Sequence, residues 1–290
     1  MIFFNLRKSN LLIHLRPIIN DLKNSDIPIG LILEDKDKAS FLENEISHLP
    51  MFEESKVHSL LTKGITVSSH VHSQCPPKTI HLNTFHNEQL QYRMHPRPLL
   101  SKIDGFLCWG NFQKKYIEHL YDHTGLMTPL IFETGAPLLD RMFDGTGDKA
   151  QIMQKHKINI ENKTILIAPS WNEGLLLRER GNDLFEALLE APEKINILLR
   201  LHPASMFSND LGNNNYFNGG QNWRDRIAKL IRTKTNIFDF SLEPDAVEAL
   251  IISDCVITDV SSIAWDALTI NSDVFFVDCP NWPDVAHKNR

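Results

Sequence analysis

The chain has 290 residues, 42% hydrophobic and 23% charged, with 30 Lys and Arg against 36 Asp and Glu and a net charge of −6. That length holds about two domains of ordinary size, and the acidic balance argues against a nucleic-acid partner, which calls for a basic patch or stripe. Cys75, Cys108, Cys255 and Cys279 are widely spaced, the pattern of reduced and mostly buried thiols in a cytosolic protein rather than a disulfide framework; no apolar run approaches the ~18 residues of a membrane span, and Arg7, Lys8 and Arg16 interrupt any signal-peptide pattern.

The first half alternates short apolar runs with helical patterns. Ile27–Leu33, Ile65–Ser68, Thr79–Leu82, Gly105–Cys108 and Leu130–Glu133 predict strands. Residues 10–23, 38–47, 55–63 and 111–122 predict helices. Residues 7–24 mix basic and apolar side chains, which fits a core-packed helix better than a membrane-surface helix, and Pro17 interrupts the pattern. The polar segment Asp144 to Lys163, with Gly145 and Gly147, reads as an interdomain connection. The expected division is therefore 1–150 and 151–290.

The second half resumes with a strand at Thr164–Ala168, a helix near 182–190 and a strand at Ile195–Leu201. Asn209 to Trp223, rich in Asn and Gly, reads as an inserted surface loop, with a lid over substrate as the sharper alternative. A helix near 222–232 and a strand at Asn236–Phe240 follow. Then the apolar run Cys255–Ile257 stops at Thr258 and Asp259, Ser261 and Ser262 follow, and a helical pattern leads to the strand Val274–Val277. The serines fall where a helix N-cap belongs. A helix N-terminus with free N–H groups and hydroxyls suits phosphate, so the expected ligand is a phosphorylated donor at the carboxyl edge of a parallel sheet. Strands alternating with helices predict the fold class: α/β, two parallel-sheet units in tandem with a cleft between them.

Thirteen histidines are too many to be functional together. His70 and His72 form a His-x-His pair, but carboxylates at matching spacing are absent and no metal is expected. His202 ends a buried strand just before Pro203, the ligand edge of a doubly wound sheet; a core or capping histidine is the plain alternative. His86 follows Asn83, Thr84 and Phe85 after a strand of the first half, and is a cleft residue or a surface-loop histidine.

Four motifs carry a resemblance. The chain has Ile167-Ala168-Pro169-Ser170-Trp171 after a strand, a strand ending in Leu201-His202-Pro203, the run Thr258-Asp259-Val260-Ser261-Ser262 with Asp266 four residues on, and the turn Gly135-Ala136-Pro137-Leu138-Leu139-Asp140. In order and spacing these resemble the CDP-glycerol glycerophosphotransferase family, enzymes that build teichoic acids and related polyol-phosphate polymers, over roughly residues 78–280. Val260 stands where the family has tyrosine, Asn87 where glycine follows the first histidine, and Leu138 where arginine follows the proline. The chain also ends at Arg290, earlier than the resemblance implies for the family.

The resemblance implies a GT-B arrangement of two Rossmann-like domains, an N-terminal acceptor-side domain and a C-terminal donor-binding one. It implies a CDP-activated alditol as donor, a lipid-linked or polymer acceptor, and a position in the cytoplasm with peripheral contact at the inner face of the cell membrane. Ser261, Ser262 and their helix would hold phosphate oxygens, His202 would meet the pyrophosphate, and His86 would take the proton from the acceptor hydroxyl. Arg200 is a phosphate-binding candidate, with Asp259, Asp266 and Ser170 in support. No cofactor is implied. A GT-B glycosyltransferase with Glu243 near the sugar or ribose, a sugar-nucleotide epimerase, and a non-catalytic nucleotide-binding relative stay open.

Overall fold

The computed structural model describes residues 1–7, 12–34, 46–85, 97–143, 147–206, 218–270 and 272–282. The chain forms two compact units, Met1–Asp140 and Arg141–Arg290.

The first unit is a seven-stranded sheet in the order β3-β2-β1-β4-β5-β6-β7. Its strands are β1 (Ile2–Arg7), β2 (Ile29–Leu33), β3 (Met51–Glu53), β4 (Gly64–Ser68), β5 (Thr79–Asn83), β6 (Gly105–Cys108) and β7 (Leu130–Glu133), and every pairing is parallel. Strand order reverses between β1 and β4, where Asn5 pairs with Ser68. The central strand β1 was not expected from the sequence. Its run Ile2 to Leu6 is apolar on both faces apart from Asn5, so no alternation marks it as a strand. In the fold Phe3 packs with Ile32 and Val57, and Phe4 and Leu6 pack on the opposite cluster.

Helix α1 (Leu12–Leu22) buries Leu12, Leu15 and Ile19, the spacing of one helical stripe, against that second cluster. Pro17 lies inside it and removes one backbone bond without ending the helix. Then come α2 (Arg97–Leu100), α3 (Asn111–Thr124) and α4 (Pro137–Asp140). The predicted helix at 55–63 is instead a 3-10 helix, Glu54–Ser59; the one at 38–47 falls largely outside the described residues.

The second unit is a five-stranded parallel sheet in the order β10-β9-β8-β11-β12. The strands are β8 (Lys163–Ile167), β9 (Ile195–Leu199), β10 (Ile237–Asp239), β11 (Cys255–Thr258) and β12 (Asp273–Phe276). Among the described residues α5 (Lys149–Lys155) precedes β8, and α6 (Leu176–Glu190), α7 (Trp223–Thr233), α8 (Val247–Ile252) and α9 (Ile263–Thr269) lie between successive strands. Alternate strand residues feed opposite faces, as the pleat requires. Leu166, Leu198 and Val256 pack with Ile152, Met153, Leu250 and Ile263. Ile167, Ile197 and Leu199 pack with Leu177, Phe185, Trp223 and Ile227. The sheet is thus covered on both sides, which is why its strands read as continuous apolar runs.

Segment 144–163 is more than a connection. It contains α5, whose Asp148 side chain accepts from Ala150 N–H as N-cap, and Ile152 and Met153 belong to the core. Two buried residues in one turn were too short a pattern to stand out. All four cysteines are free, and of these only Cys108 is buried. The expected loop from Asn209 falls largely outside the described residues.

Candidate functional site: the carboxyl edge of the second sheet

Strand order in the second unit reverses between β8 and β11, and a ligand crevice forms in such a sheet where the connections diverge. The segments leaving β8 and β11 are tied together here. Thr258 Oγ1 donates to the Ala168 carbonyl at 2.7 Å. The buried Asp259 carboxylate accepts the Ser170 N–H, at 2.9 Å to Oδ1 and 3.2 Å to Oδ2. It also accepts Leu176 N–H at 3.2 Å.

That last bond explains how α6 starts. Its N-cap residue is Leu175, which has no polar side chain, so the free N–H of the first turn needs an acceptor from elsewhere. Asp259 supplies one, with a negative charge at the positive end of the helix. Burial raises the Asp259 carboxyl above its ordinary value, while N–H groups of Ser170, Leu176, Asp259 itself and Ser261 pull it down.

Ser261 and Ser262 follow directly. Ser262 is the N-cap of α9, but its side chain makes no capping bond. Its backbone is helical, at φ −62° and ψ −22°, whereas a capping side chain needs an extended backbone. The hydroxyls of Ser170, Ser261 and Ser262 have no protein partner among the described residues, and all three residues are half-buried. Asp266, one turn into α9, is half-buried, and burial pushes its carboxyl up to about 7.

His202 lies three residues beyond the end of β9, half-buried. Its Nδ1 accepts the Ala204 N–H at 3.1 Å, so a neutral ring carries its proton on Nε2. The Trp171 ring stands beside it, with centroids 6.0 Å apart and planes at 37°. Arg200 is placed differently. Its Nη1 donates to the carbonyls of Phe240 at 2.6 Å and Glu243 at 3.2 Å, binding the segment after β10. Burial lowers its pKa, and Asp245, Glu243 and Asp239 oppose that.

Sequence reasoning missed the Ala204 N–H, the Leu176 N–H and the Trp171–His202 contact. The last two are through-space partners with no sequence spacing of their own, and the first is a local bond two residues on that depends on the backbone turn after β9.

His86 lies outside the described residues. The strand that precedes it ends in a buried chain of bonds. His81 Nδ1 donates to Lys102 O at 3.1 Å, so Nε2 accepts from Ser68 Oγ at 2.7 Å. Ser68 Oγ accepts from Asn83 Nδ2 at 2.9 Å, and Asn83 Oδ1 accepts Phe85 N–H at 2.8 Å. Phe85 is held at φ 53°, the left-handed region that a bulky residue rarely takes. Its ring stacks on Phe106 at 5.0 Å. Next to these strand ends a cavity of about 200 Å³ is lined by His14, Ile18, Leu107, Trp109, Pro137 and Leu138, among others. The turn into α4 needs Gly135, which adopts φ 79°, and Pro137 opens the helix where its missing N–H costs nothing.

Among the described residues no cluster of His, Cys, Asp and Glu is arranged to hold a metal ion, and no helix is long and apolar enough to cross a membrane.

The family described as CDP-Glycerol:Poly(glycerophosphate) glycerophosphotransferase matches residues 113–278, more than half of the chain. The chain belongs to this family. The match spans β8, the His202 segment and the Asp259–Asp266 turn, and the glycerophosphotransferase class of enzyme comes with it. No curated protein sequence matches the chain.

Among solved structures, the wall teichoic acid polymerase TagF aligns with a TM-score of 0.64 at 17% identity, over 95% of this chain and 69% of its own. A TagF variant soaked with CDPG aligns at 0.63 and 16%, over 95% and 68%. UDP-GlcNAc 2-epimerase from Neisseria meningitidis, bound to UDP-GlcNAc, aligns at 0.56 and 15%, over 98% and 84%. At these identities the likeness is one of fold: an α/β, GT-B-like chain with two parallel sheets.

Proposed function

We propose that this family member moves glycerol phosphate, or a similar alditol phosphate, from a CDP-activated donor to a hydroxyl of a wall polymer or its lipid-linked precursor. The observation that carries the donor site is the convergence on Asp259. One buried carboxylate gathers backbone N–H groups from two segments, the one leaving β8 and its own turn, and leaves the Ser170, Ser261 and Ser262 hydroxyls beside it without protein partners among the described residues. Hydroxyls with open donors at the carboxyl edge that also carries His202 suit a pyrophosphate.

In the step proposed, the acceptor hydroxyl oxygen attacks the alditol phosphorus in line. A new P–O bond forms as the bond to the bridging oxygen of CMP breaks. Charge grows on the departing CMP, and His202 Nε2–H and the serine hydroxyls would donate to it. The acceptor proton goes to a base, for which His86 is the candidate from the family motif. Asp266, whose carboxyl burial pushes up to about 7, lies one turn beyond the serines and supports them. Arg200 supports the site indirectly, by fixing the segment after β10. The first unit is the proposed acceptor side and the second the donor side. A CDP-activated donor is a cytoplasmic metabolite and a lipid-linked acceptor sits in the membrane, so the reading places the enzyme in the cytoplasm at the inner membrane face.

The test is a thermal-shift titration of wild type and His202→Ala with CDP-glycerol, CDP-ribitol, CMP, UDP-GlcNAc and UDP, followed by an assay of CMP release. Ligands of the folded state raise its melting temperature by mass action. Stabilisation by the CDP compounds that weakens in His202→Ala, with CMP released in the presence of acceptor, supports the reading. Preference for UDP compounds moves it to a glycosyltransferase, and binding without CMP release to a non-catalytic relative.

A further inference from the structure

The sheet order places β8 between β9 and β11. The loop after β8 therefore runs between the segment carrying His202 and the turn carrying Asp259. Asp259 holds this loop by the Ser170 N–H, and the next residue, Trp171, lays its ring beside the His202 imidazole. The Ala204 N–H meets the same imidazole at Nδ1.

A histidine side chain has two soft torsions. A hydrogen bond at Nδ1 selects the tautomer and fixes one point of the ring. A large flat neighbour restricts the rest of its motion.

We propose that Trp171 is a positioning residue for His202. With the Ala204 N–H, its indole holds the imidazole in the one tautomer and orientation that presents Nε2–H to the departing phosphate. Asp259 acts one step further back, by fixing the backbone from which Trp171 projects. The proposal rests on the reading above that His202 serves the donor.

The experiment combines kinetics with nitrogen NMR. CMP release is measured for wild type, Trp171→Ala, Trp171→Phe, His202→Ala and the Trp171→Ala/His202→Ala double variant. Trp171→Ala should lose ~10- to 100-fold in kcat, the cost of a misplaced catalytic group, with KM for CDP-glycerol changed less than about threefold. Trp171→Phe, which keeps a ring, should recover most of the rate and guards against a Trp171→Ala variant that does not fold. In the His202→Ala background, Trp171→Ala should cost nothing further. In 15N-histidine spectra, assigned by the signals lost in His202→Ala, the wild-type ring should show an unprotonated Nδ1 and a protonated Nε2. Trp171→Ala should move both toward tautomer-averaged positions.

An unchanged kcat in Trp171→Ala overturns the proposal. So does an equal loss with and without His202, which would mark a structural role, or an unaltered nitrogen spectrum. Full kcat in His202→Ala, or no CMP release by wild type, overturns the donor reading instead, and the nitrogen spectrum then decides the positioning by itself.

Discussion

The Asp259 carboxylate accepts the Ser170 N–H across 89 positions of sequence, at 2.9 Å from Oδ1, and so joins the ends of the two strands at which the second sheet reverses its order. The same carboxylate starts α6 through Leu176 N–H. Asp259→Asn keeps one acceptor oxygen, loses the charge and turns an amide NH₂ toward backbone donors. Hydrogen bonds to a charged group contribute about 1.5–3 kcal/mol each, so the variant should lose on the order of 2–3 kcal/mol in urea unfolding. It should also show a weaker thermal shift with CDP-glycerol. An unchanged unfolding midpoint would remove the carboxylate from its organising role.

Asp266 supplies a pH-dependent test. Burial raises its carboxyl to about 7, above the ordinary unfolded value of about 3.9. The folded state therefore holds a proton that the unfolded chain releases. The stabilisation tied to that proton is complete below the unfolded value and lost as pH rises through about 7. Asp266→Asn has no such loss, so its stability relative to wild type should increase between pH 4 and pH 8. The expected gain is on the order of 2 kcal/mol after allowance for partial exposure. Unfolding curves at the two pH values measure it, and a constant difference would contradict it.

His81 predicts the opposite sign. Burial lowers its pKa, against the Lys102 carbonyl bond and the Asp104 charge, so the folded state keeps it neutral. Its contribution is present above the unfolded value of about 6.5 and is lost as pH falls through the lower folded value. Protonation would also put a donor at Nε2 against the Ser68 hydroxyl. His81→Gln should flatten the loss of stability below pH 6.5, at a constant cost of about 1–3 kcal/mol for the disturbed bonds. A mutant that keeps the wild-type acid limb would place that limb elsewhere.

Gly181 packs where no side chain fits. A Cβ there would lie 2.4 Å from Trp223 Cη2, next to Arg180, where α6 kinks at φ −131°. Gly181→Ala should therefore destabilise the protein by about 1–3 kcal/mol, the usual cost of overpacking. Trp223→Leu removes the clashing ring, so in that background the same substitution should cost much less. Two-denaturant midpoints for the four proteins close the cycle, and strict additivity would mean the clash is not the cause.

How much of this was legible differs between the two halves of the sequence. Gly105–Cys108 and Leu130–Glu133 stand as strands at the expected bounds, because apolar runs flanked by breakers leave little choice. Strand β1 and helix α8 were missed. One lacks an apolar–polar alternation and the other is six residues long, and each becomes regular only because neighbours cover it. Ser262 was readable as the start of α9, since serine after a strand marks a helix entrance, but not as a residue whose side chain does no capping. That depended on its backbone angles.

Sequence by itself determined the class of the protein. Alternating apolar runs and helical stripes require parallel sheets covered on both sides, and four spaced motifs tie the chain to its family. It also named His202, Asp259, Ser261 and Ser262, because each lies within four residues of a strand's carboxyl end. Tertiary structure decided what each one touches. Ser170, Leu176 and Trp171 meet Asp259 and His202 only because strand order brings the loops after β8, β9 and β11 side by side, and a hydrogen bond across 89 positions depends on that adjacency and leaves no mark in local spacing.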